Sequence, residues 1–363
     1  MTGARTIEYE PGLDGLRAVS IVGVLLFHAC ATSSLAGWVR GGNLGVSVFF
    51  TLSGFLITTL LVTEVDRRGR VDLRRFWVRR IKRLAPASLT VIAVVVAVSR
   101  TSWLAARSGD AIAAIWSATN WHVIAGGEHK LLQTIVGPLG PTWSLAVEEQ
   151  LYVVLAVGVA LAARRRDARR VLTASFALVA VSAVVLANVV STWNPRLEFG
   201  TDVRAGEVAV GGLLALAVLR SPAWRAARTT TLDRSGWFAV AAIVGLFLAA
   251  DYTPRWLLRG GFVLVALVSA VAIAGVLAHG SLARVLGIRP LVAVGRWSYS
   301  IYLVHWPLFL VLTPDRTRLD GVALVSVKVA VAVAVAVALH HLVEQPVRRS
   351  RITDTRRVVV TWL

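Results

Sequence analysis

Residues that support soluble or disulfide-bonded proteins are scarce in this sequence. Charged residues make up 16% of its 363 residues, and cysteine occurs once, at Cys30. Soluble domains average about 25% charged residues, and a single cysteine excludes an internal disulfide framework. Cys30 lies two residues beyond His28, roughly 200° around a helix from it. We predict an inert packing role for this thiol, since a reactive cysteine needs an electropositive and accessible setting.

Acidic residues are also few, and long apolar runs dominate the chain. There are 20 Asp and Glu against 39 Lys and Arg, a formal net charge of +19, and 56% of the residues are hydrophobic. Apolar runs of membrane-spanning length predict an all-α polytopic membrane protein, a bundle of about ten transmembrane helices in one membrane domain. The predicted spans are 14–36, 44–65, 84–100, 143–163, 171–191, 204–219, 236–250, 257–279, 297–313 and 321–343.

The basic residues divide unequally between the two sides of this bundle. With ten spans, 28 Lys and Arg lie on the side of the termini and ten on the other, while Lys328 lies inside the last span. By the positive-inside rule, this asymmetry predicts that both termini are cytoplasmic. Anionic lipid headgroups attract cations next to the membrane, so the net charge requires no nucleic-acid partner.

Two segments outside the spans carry further expectations. The external loop 101–142 contains several tryptophans, which favour membrane interfaces, and we predict a short interfacial helix over 110–121. A short basic cytoplasmic tail, 344–363, leads us to expect no second domain. The first apolar run carries Arg17 and His28, so we expect it to remain in the mature protein and not to act as a cleaved signal.

The first span places a cation and an imidazole on one helical face. Arg17 and His28 are eleven residues apart, a spacing that returns to within about 20° of the same direction over about 16 Å of helix. Such groups are costly inside a membrane and are functional by default. Asp14, three residues before Arg17, is predicted to pair with it. The alternatives are that Arg17 snorkels to the headgroups and that His28 is a buried, neutral structural residue.

A dense run of cations precedes the third span. Six of the ten residues in 74–83 are Lys or Arg. Arg83 lies four residues after Arg79 and three after Arg80, so one helical turn presents the three guanidinium groups together. Forked donors of this kind suit phosphate oxygens. We predict a phosphate-bearing ligand here, and the alternative is that the run only sets membrane topology.

The fourth span carries a carboxylate. Glu148 is predicted roughly 8 Å inside its helix from the external side, a depth comparable with that of His28, so the two could meet. A carboxylate beside an imidazole fixes its tautomer and raises its basicity, as a general base near neutral pH requires. The adjacent Glu149 points about 100° away on a helix and is assigned a structural role.

Polar residues in other spans predict a polar interior. Each is a candidate either for an interhelical hydrogen bond or for acceptor binding. These supporting residues are Ser53, Trp143, Ser144, Tyr152, Arg204, Tyr302 and His305, with Thr201 and Glu207 beside Arg204 and with His340 four residues before Glu344.

Five stretches, taken together and in order, resemble the acyltransferase 3 family of integral membrane acyltransferases. With the ten-span pattern, the likeness covers nearly the whole chain. The stretches are LDGLRAVSIVGVLLFH (13–28), GVSVFFTLSGFLIT (45–58), RRIKRLAP (79–86), WSLAVEEQLY (143–152) and SYSIYLVHWPL (298–308).

The resemblance implies transfer of an acyl group, commonly acetyl, from a cytoplasmic acyl-coenzyme A to a hydroxyl of a sugar or related acceptor. In the family, an arginine and a histidine on the first helix are essential, paired arginines mark the third helix, and a glutamate pair follows Trp-Ser. The corresponding residues here are Arg17 and His28, Arg80 and Arg83, and Glu148 and Glu149.

This interpretation makes acetyl-coenzyme A a co-substrate, with no permanently bound cofactor and no metal. Its phosphates would dock at the arginines of the third helix with help from Arg17. His28, oriented by Glu148, would act as a general base or as a transient acyl carrier. The expected setting is the lipid bilayer of a bacterial cytoplasmic membrane, with a sugar-containing acceptor as the second partner.

Two family positions differ in this chain. An acidic residue often found two before the Phe-Phe pair is Ser47, and a histidine often found two before Trp-Ser is Pro141. Both lie toward the external side, so they bear on the acceptor, which is a cell-surface or lipid-linked glycan or, alternatively, a small glycosylated natural product such as a macrolide. The soluble hydrolase-like extension of some members is absent, so the membrane domain is expected to complete the transfer alone.

A transporter of an anionic solute is the alternative from another class of protein. Its polar interior would bind the solute between the two sides of the membrane. The sequence shows no inverted repeat and no pair of interrupted spans, which favours the enzyme. The sequence leaves the oligomeric state open.

Overall fold

The computed structural model describes residues 9–126, 137–190, 195–220, 229–252 and 254–350. Across these residues the chain forms helices and no strand, which confirms the predicted all-α class. The α-helices in chain order are α1 (Pro11–Ala31), α2 (Gly45–Arg68), α3 (Leu73–Val98), α4 (Ser108–Ile115), α5 (Thr119–Ala125), α6 (Thr142–Ala162), α7 (Ala168–Val189), α8 (Arg196–Phe199), α9 (Thr201–Arg220), α10 (Thr229–Ala249), α11 (Phe262–Val276), α12 (Ser281–Leu286), α13 (Arg289–Val311), α14 (Pro314–Thr317), α15 (Gly321–Leu339) and α16 (Gln345–Arg349).

Short turns of other helical types adjoin four of these helices. The 3-10 turns Gly42–Leu44 and Gly137–Leu139 lie before α2 and α6. The segment Leu257–Gly261, which is kinked at Arg259 and Gly260, leads into α11, and the π-helical turn His340–Glu344 leads into α16.

Within the described part of the chain, eight helical segments are long and apolar enough to cross a membrane. The other two predicted spans, 204–219 and 297–313, form helices α9 and α13, which are long but carry more polar residues. The count of ten spans and the cytoplasmic termini therefore stay predictions. The eight segments are α1, Gly42–Arg68, α3, α6, α7, α10, Leu257–Val276 and Gly321–Arg349.

The third span begins earlier than its apolar run. Helix α3 starts at Leu73, where the Asp72 carboxylate accepts a hydrogen bond from the backbone N–H of Arg75 at 2.9 Å and so caps the helix. The cationic run is therefore helical, which gives Arg79, Arg80 and Arg83 the spacing on one turn that the sequence predicts.

The loop 101–142 contains two short helices where the sequence predicts a single helix over 110–121. Helices α4 and α5 are separated at Ser117, whose φ of 51° is left-handed and interrupts a right-handed helix. The Asp110 carboxylate and the His122 ring, 3.1 Å apart, link the two short helices. Part of this loop, 127–136, and most of the predicted tail, 351–363, lie outside the described residues.

The chain divides into two compact units. The first comprises residues 1–24, 39–71 and 147–296, and the second comprises 25–38, 72–146 and 297–363. The boundary falls within helices α1, α6 and α13, so each of these contributes to both units.

Helices of the first unit approach each other closely at glycines. Helix α9 packs against α2 and α7, and α11 packs against α2, α9 and α10. A Cβ atom added to Gly54 would lie 2.1 Å from the carbonyl oxygen of Val208, and one added to Gly211 would lie 2.0 Å from that of Thr51. Small residues at such positions let membrane helices pack backbone against backbone.

The second unit joins α3 to the end of the chain's last long helix. Helix α3 packs against the turn His340–Glu344 and against α16. The Tyr299 hydroxyl of α13 donates to the carbonyl oxygen of Leu84 at 2.6 Å, and Lys82 Nζ donates to that of Ser350 at 2.7 Å. These contacts hold the cationic start of α3 in place.

We predict that Gly54→Ala destabilises the protein, because the added methyl group would clash with a backbone oxygen of α9. Overpacking of this kind costs about 1–3 kcal/mol. Gly158→Ala is the matched control, since an added Cβ there meets no atom within 4 Å. Thermal denaturation of the purified protein in detergent should show a lower midpoint for Gly54→Ala only. Equal midpoints for the two variants would contradict the close packing of α2 on α9.

Candidate active site

Two imidazoles face each other within the second unit. The rings of His28 in α1 and His305 in α13 lie 5.0 Å apart between centroids, with His305 Nε2 3.3 Å from His28 Nδ1. His305 is fully buried, whereas His28 keeps part of its surface accessible. His28 is therefore the ring of this pair that a second molecule can reach.

The hydrogen bonds of the pair indicate which nitrogens carry protons. His305 Nδ1 lies 2.6 Å from the carbonyl oxygen of Tyr302, and a carbonyl only accepts, so Nδ1 carries the hydrogen. An uncompensated buried charge is costly, so His305 is assigned as neutral with Nε2 as an acceptor. His28 Nδ1 must then donate to it, and the lone pair of His28 lies on Nε2.

Aromatic side chains enclose the two rings. Trp306 lies 5.1 Å from His28 and Phe309 lies 5.6 Å from His305, both between ring centroids. The indole Nε1 of Trp306 donates to the carbonyl oxygen of Gly137 at 3.0 Å. An apolar shell of this kind strengthens hydrogen bonds inside it.

Two of the predicted supporting residues bond to each other. The Tyr302 hydroxyl donates to the carbonyl oxygen of Pro141 at 2.9 Å and lies 2.6 Å from the Ser144 hydroxyl. Both side chains are buried, as is that of Trp143. These contacts favour interhelical hydrogen bonding, the structural alternative, for Tyr302 and Ser144.

The arginines at the start of α3 are accessible in the second unit. Arg79 is exposed, and Arg80 and Arg83 are half-buried. The Arg80 guanidinium lies 5.6 Å from the centre of the Phe76 ring, a stacking geometry that arginine adopts readily. Lys82, in contrast, is buried and bonded to a backbone carbonyl. The accessible cations of this run are thus forked guanidinium groups, which suit phosphate.

A buried polar cluster occupies the π-helical turn after α15. The Glu344 carboxylate lies 2.8 Å from His340 Nδ1 and accepts from the Ser300 hydroxyl at 3.1 Å. His340 and Glu344, four residues apart in the sequence, therefore bond to each other through their side chains. π-helical turns are frequent at functional sites, but here the side chains satisfy one another.

The predicted carboxylate of the fourth span lies in the first unit. Glu148 Oε1 accepts hydrogen bonds from the hydroxyls of Ser53 and Tyr152. Gln150, two residues after Glu148, accepts at Oε1 from the Thr201 hydroxyl at 2.5 Å. Glu149 is half-buried.

A buried ion pair forms a second polar cluster of the first unit. Arg204 Nε lies 2.8 Å from Glu207 Oε2, Arg204 Nη2 donates to Ser47 Oγ at 3.2 Å, and the guanidinium lies 3.7 Å from the centre of the Phe262 ring. Buried charges need a partner of this kind. Ser47 supplies a hydroxyl to this cluster, and Glu207 supplies the carboxylate from the turn of α9 that follows Arg204.

The predicted residues Arg17 and Asp14 lie near the start of α1. The Arg17 guanidinium is 5.9 Å from the centre of the Phe49 ring. Asp14 accepts from the Tyr9 hydroxyl at 2.7 Å and lies 3.8 Å from Arg296. The pairing of Asp14 with Arg17 stays a prediction. So do the meeting of His28 with Glu148 and the joint action of Arg17 with the α3 arginines.

Sequence reasoning missed a carboxylate outside the spans. The Tyr252 hydroxyl donates to Glu198 Oε1 at 2.5 Å. Burial raises the pKa of Glu198 to about 7, and burial together with Glu198 raises the pKa of Tyr252 well above its usual value. The two residues are 54 positions apart, and no periodicity in the sequence signals their contact. Among the described residues, no group of three or more His, Cys, Asp or Glu is arranged to hold a metal ion.

These observations define a helical membrane protein with a partly accessible imidazole and an accessible arginine face. The chain belongs to the acyltransferase 3 family, whose model, described as an acyltransferase domain, matches residues 10–341.

Relatives in Staphylococcus aureus are similar over most of this chain. The O-acetyltransferase OatA of strain NCTC 8325 / PS 47 and that of strain COL are each 34% identical over 313 residues. A putative O-acetyltransferase of strain MSSA476 is 32% identical over 321 residues. Each match covers 84% of this chain and 51% of the relative, so the chain spans about half the length of these relatives. No solved structure matches the chain.

We predict that Glu198 makes stability fall as pH rises. Its pKa is near 4.5 when exposed and about 7 in the folded protein. Between these values the folded state holds a proton that the unfolded state has lost, so stability decreases through this window and levels off above it. Thermal midpoints from pH 5 to 8 should show this decrease in the wild type and a smaller one in Glu198→Gln. Identical pH profiles would contradict the raised pKa of Glu198.

Proposed function

We propose that this chain is a membrane O-acetyltransferase. It moves an acetyl group from acetyl-coenzyme A to a hydroxyl of a sugar-containing acceptor, a cell-surface or lipid-linked glycan, in a bacterial cytoplasmic membrane. The observation that carries the proposal is the His28–His305 pair, which presents a lone pair on an accessible imidazole. The names of the relatives in Staphylococcus aureus, all O-acetyltransferases, support acetyl as the group transferred.

The donor docks at the arginines of α3. Arg79, Arg80 and Arg83 bind phosphate oxygens of coenzyme A through their forked donors. Arg17 assists from α1, on the same helix as His28. The pantetheine arm then extends into the bundle and brings the thioester to the imidazole. An extended arm is long enough for the roughly 16 Å that eleven helical residues span.

His28 acts on the acceptor through Nε2. The lone pair takes the proton of the acceptor hydroxyl while its oxygen attacks the thioester carbonyl carbon. The carbon–sulfur bond then breaks, and the imidazolium returns the proton to the departing thiolate. The products are an acetyl ester and free coenzyme A. His305 keeps the proton on His28 Nδ1, and the Glu148 carboxylate supports the imidazolium.

Nucleophilic catalysis by the lone pair of His28 Nε2 is a second reaction route. His28 Nε2 attacks the thioester carbonyl carbon, the carbon–sulfur bond breaks, and coenzyme A leaves as the thiolate. The acceptor hydroxyl oxygen then attacks the acyl-imidazole, the carbon–nitrogen bond breaks to free Nε2, and the hydroxyl proton passes to the thiolate. Rapid quenching with labelled acetyl-coenzyme A separates the two routes. A label bound to His28 indicates the carrier route, and a ternary complex with no bound label indicates general-base catalysis.

We predict that His28→Ala abolishes turnover but retains donor binding. General-base catalysis contributes about 10²–10⁴-fold, so slow thiol release from acetyl-coenzyme A should fall by at least 100-fold. The single cysteine is buried, which keeps the background of a thiol reagent low. His279→Ala is the matched control, because His279 is exposed and its Nε2 lies 3.5 Å from Glu10 Oε1, outside the proposed site. Wild-type turnover in His28→Ala would rule out the proposed chemistry.

We predict that the double variant Arg80→Ala with Arg83→Ala loses donor affinity. Each charge-assisted hydrogen bond contributes about 1.5–3 kcal/mol, so the Kd for acetyl-coenzyme A should rise more than tenfold. Arg75→Ala is the control, since Arg75 is an exposed arginine on the same helix.

S-acetylpantetheine, which lacks every phosphate, tests whether the loss comes from phosphate binding. The double variant should release thiol from it at the wild-type rate. An unchanged Kd for acetyl-coenzyme A, or an equal loss with S-acetylpantetheine, means that the phosphates dock elsewhere. Uptake of a labelled anion by vesicles without thiol release would instead support a transporter.

A further inference from the structure

A lysine lies fully buried in the last long helix. Lys328 occupies the eighth position of α15, among valines and alanines, and its side chain has no solvent exposure. An ionisable group at this position costs free energy and is retained for a function by default. The mechanism proposed above does not use Lys328.

The ammonium group of Lys328 bonds to the segment that ends α1. Lys328 Nζ donates to the carbonyl oxygen of Thr32 at 2.9 Å and to its hydroxyl at 2.7 Å. The Thr32 hydroxyl in turn donates to the carbonyl oxygen of His28 at 2.9 Å. Two hydrogen bonds therefore connect Lys328 to the backbone of His28.

The position of this cation matches the electrostatics of a helix end. The last four carbonyl groups of a helix have no partner within it, and they carry the negative end of the helix dipole. Helix α1 ends at Ala31, so the His28 carbonyl is the first of these four. The Thr32 hydroxyl satisfies the His28 carbonyl, and the Lys328 ammonium group, next to the negative end of the helix, donates to that hydroxyl and to the Thr32 carbonyl.

Lys328 also reaches the ring of His28 through aromatic contacts. Its Nζ lies 5.8 Å from the centre of the Phe309 ring, within the range of a cation–π contact. The Phe309 ring lies edge-on to that of His305, and His305 is the hydrogen-bond partner of His28. Lys328 is thus linked to His28 in two ways. Thr32 connects it to the backbone of His28, and Phe309 and His305 connect it to the ring.

A second contact strengthens the hold of α15 on this segment. The Asp320 carboxylate, one residue before α15, accepts from the backbone N–H of Ser34 at 2.8 Å. Hydrogen bonds from the backbone N–H groups of Ser34 and Gly321 hold the pKa of Asp320 below its usual value. Asp320, at the start of α15, and Lys328, within it, therefore bind Ser34 and Thr32 at two points.

We propose that Lys328 is a positioning residue for His28. It fixes the end of α1 through Thr32, and with it the depth and orientation of the imidazole relative to the thioester. This inference rests on the proposed role of His28 as the group that takes the acceptor proton. A shift of about 1 Å in a reacting group can cost about 100-fold in rate, so loss of this anchor should act on the chemical step.

The test uses thiol release from acetyl-coenzyme A by the purified full chain. Lys328→Met should lower kcat at least tenfold while the Kd for acetyl-coenzyme A stays at the wild-type value. Lys328→Arg should recover most of the rate, because a guanidinium can donate to both Thr32 oxygens. Thr32→Val, which removes only the hydroxyl link, should lower kcat by a smaller factor.

Thr90→Val is the control for Thr32→Val. The Thr90 hydroxyl makes the same kind of bond, to the carbonyl oxygen of Pro86 at 2.8 Å, and its loss should leave kcat unchanged. If Lys328→Met does not fold, Thr32→Val and Lys328→Arg decide the question.

Three outcomes would overturn the inference. They are a wild-type kcat in folded Lys328→Met or in Thr32→Val, an equal loss of rate in Lys328→Met and Lys328→Arg, and a loss of donor affinity that parallels the loss of rate. His28→Ala separates this failure from failure of the proposed function. An inactive His28→Ala beside a fully active Lys328→Met removes only the role of Lys328.

Discussion

The hydrogen bond between the imidazoles of His28 and His305 is the contact on which the account of this site depends. His305 donates through Nδ1 to a backbone carbonyl, so its other nitrogen can only accept, and the proton of His28 is held on Nδ1. The consequence is a basic Nε2 on the more accessible ring. Burial of His305 among aromatic side chains keeps competing water away from this arrangement, so the orientation is set by the fold.

The same requirement for partners governs the other polar groups of the chain. Within the first unit, Arg204 is matched by Glu207, and Glu148 accepts from two hydroxyls. Within the second, Glu344 is held by His340 and Ser300. A membrane protein has no water in its apolar region to satisfy such groups, so each must find a partner in the protein. These charged groups consequently lie in clusters where each has a partner, whereas the ring of His28, bonded to His305, also keeps part of its surface accessible.

Much of the helical fold followed from apolar length, whereas the site followed only in part. Membrane-length runs predicted the helices, and the spacing of Arg79, Arg80 and Arg83 predicted a common helical turn because that spacing is a property of one helix. The neutral state of His305, the link from Lys328 to Thr32 and the contact of Glu198 with Tyr252 depend on residues far apart in the chain, which periodicity does not relate. The single helix expected over 110–121 forms as two short helices, because Ser117 between them adopts a left-handed conformation.

The measurement that tests the central claim most directly is the tautomeric state of His28 by ¹⁵N NMR of the protein labelled at histidine. The chain has 7 histidines, and the spectrum of His28→Ala identifies the signals of His28 by their loss. The account predicts that at neutral pH His28 carries its proton on Nδ1 and that Nε2 is unprotonated. A proton on Nε2 with Nδ1 bare, or a doubly protonated ring, would contradict it.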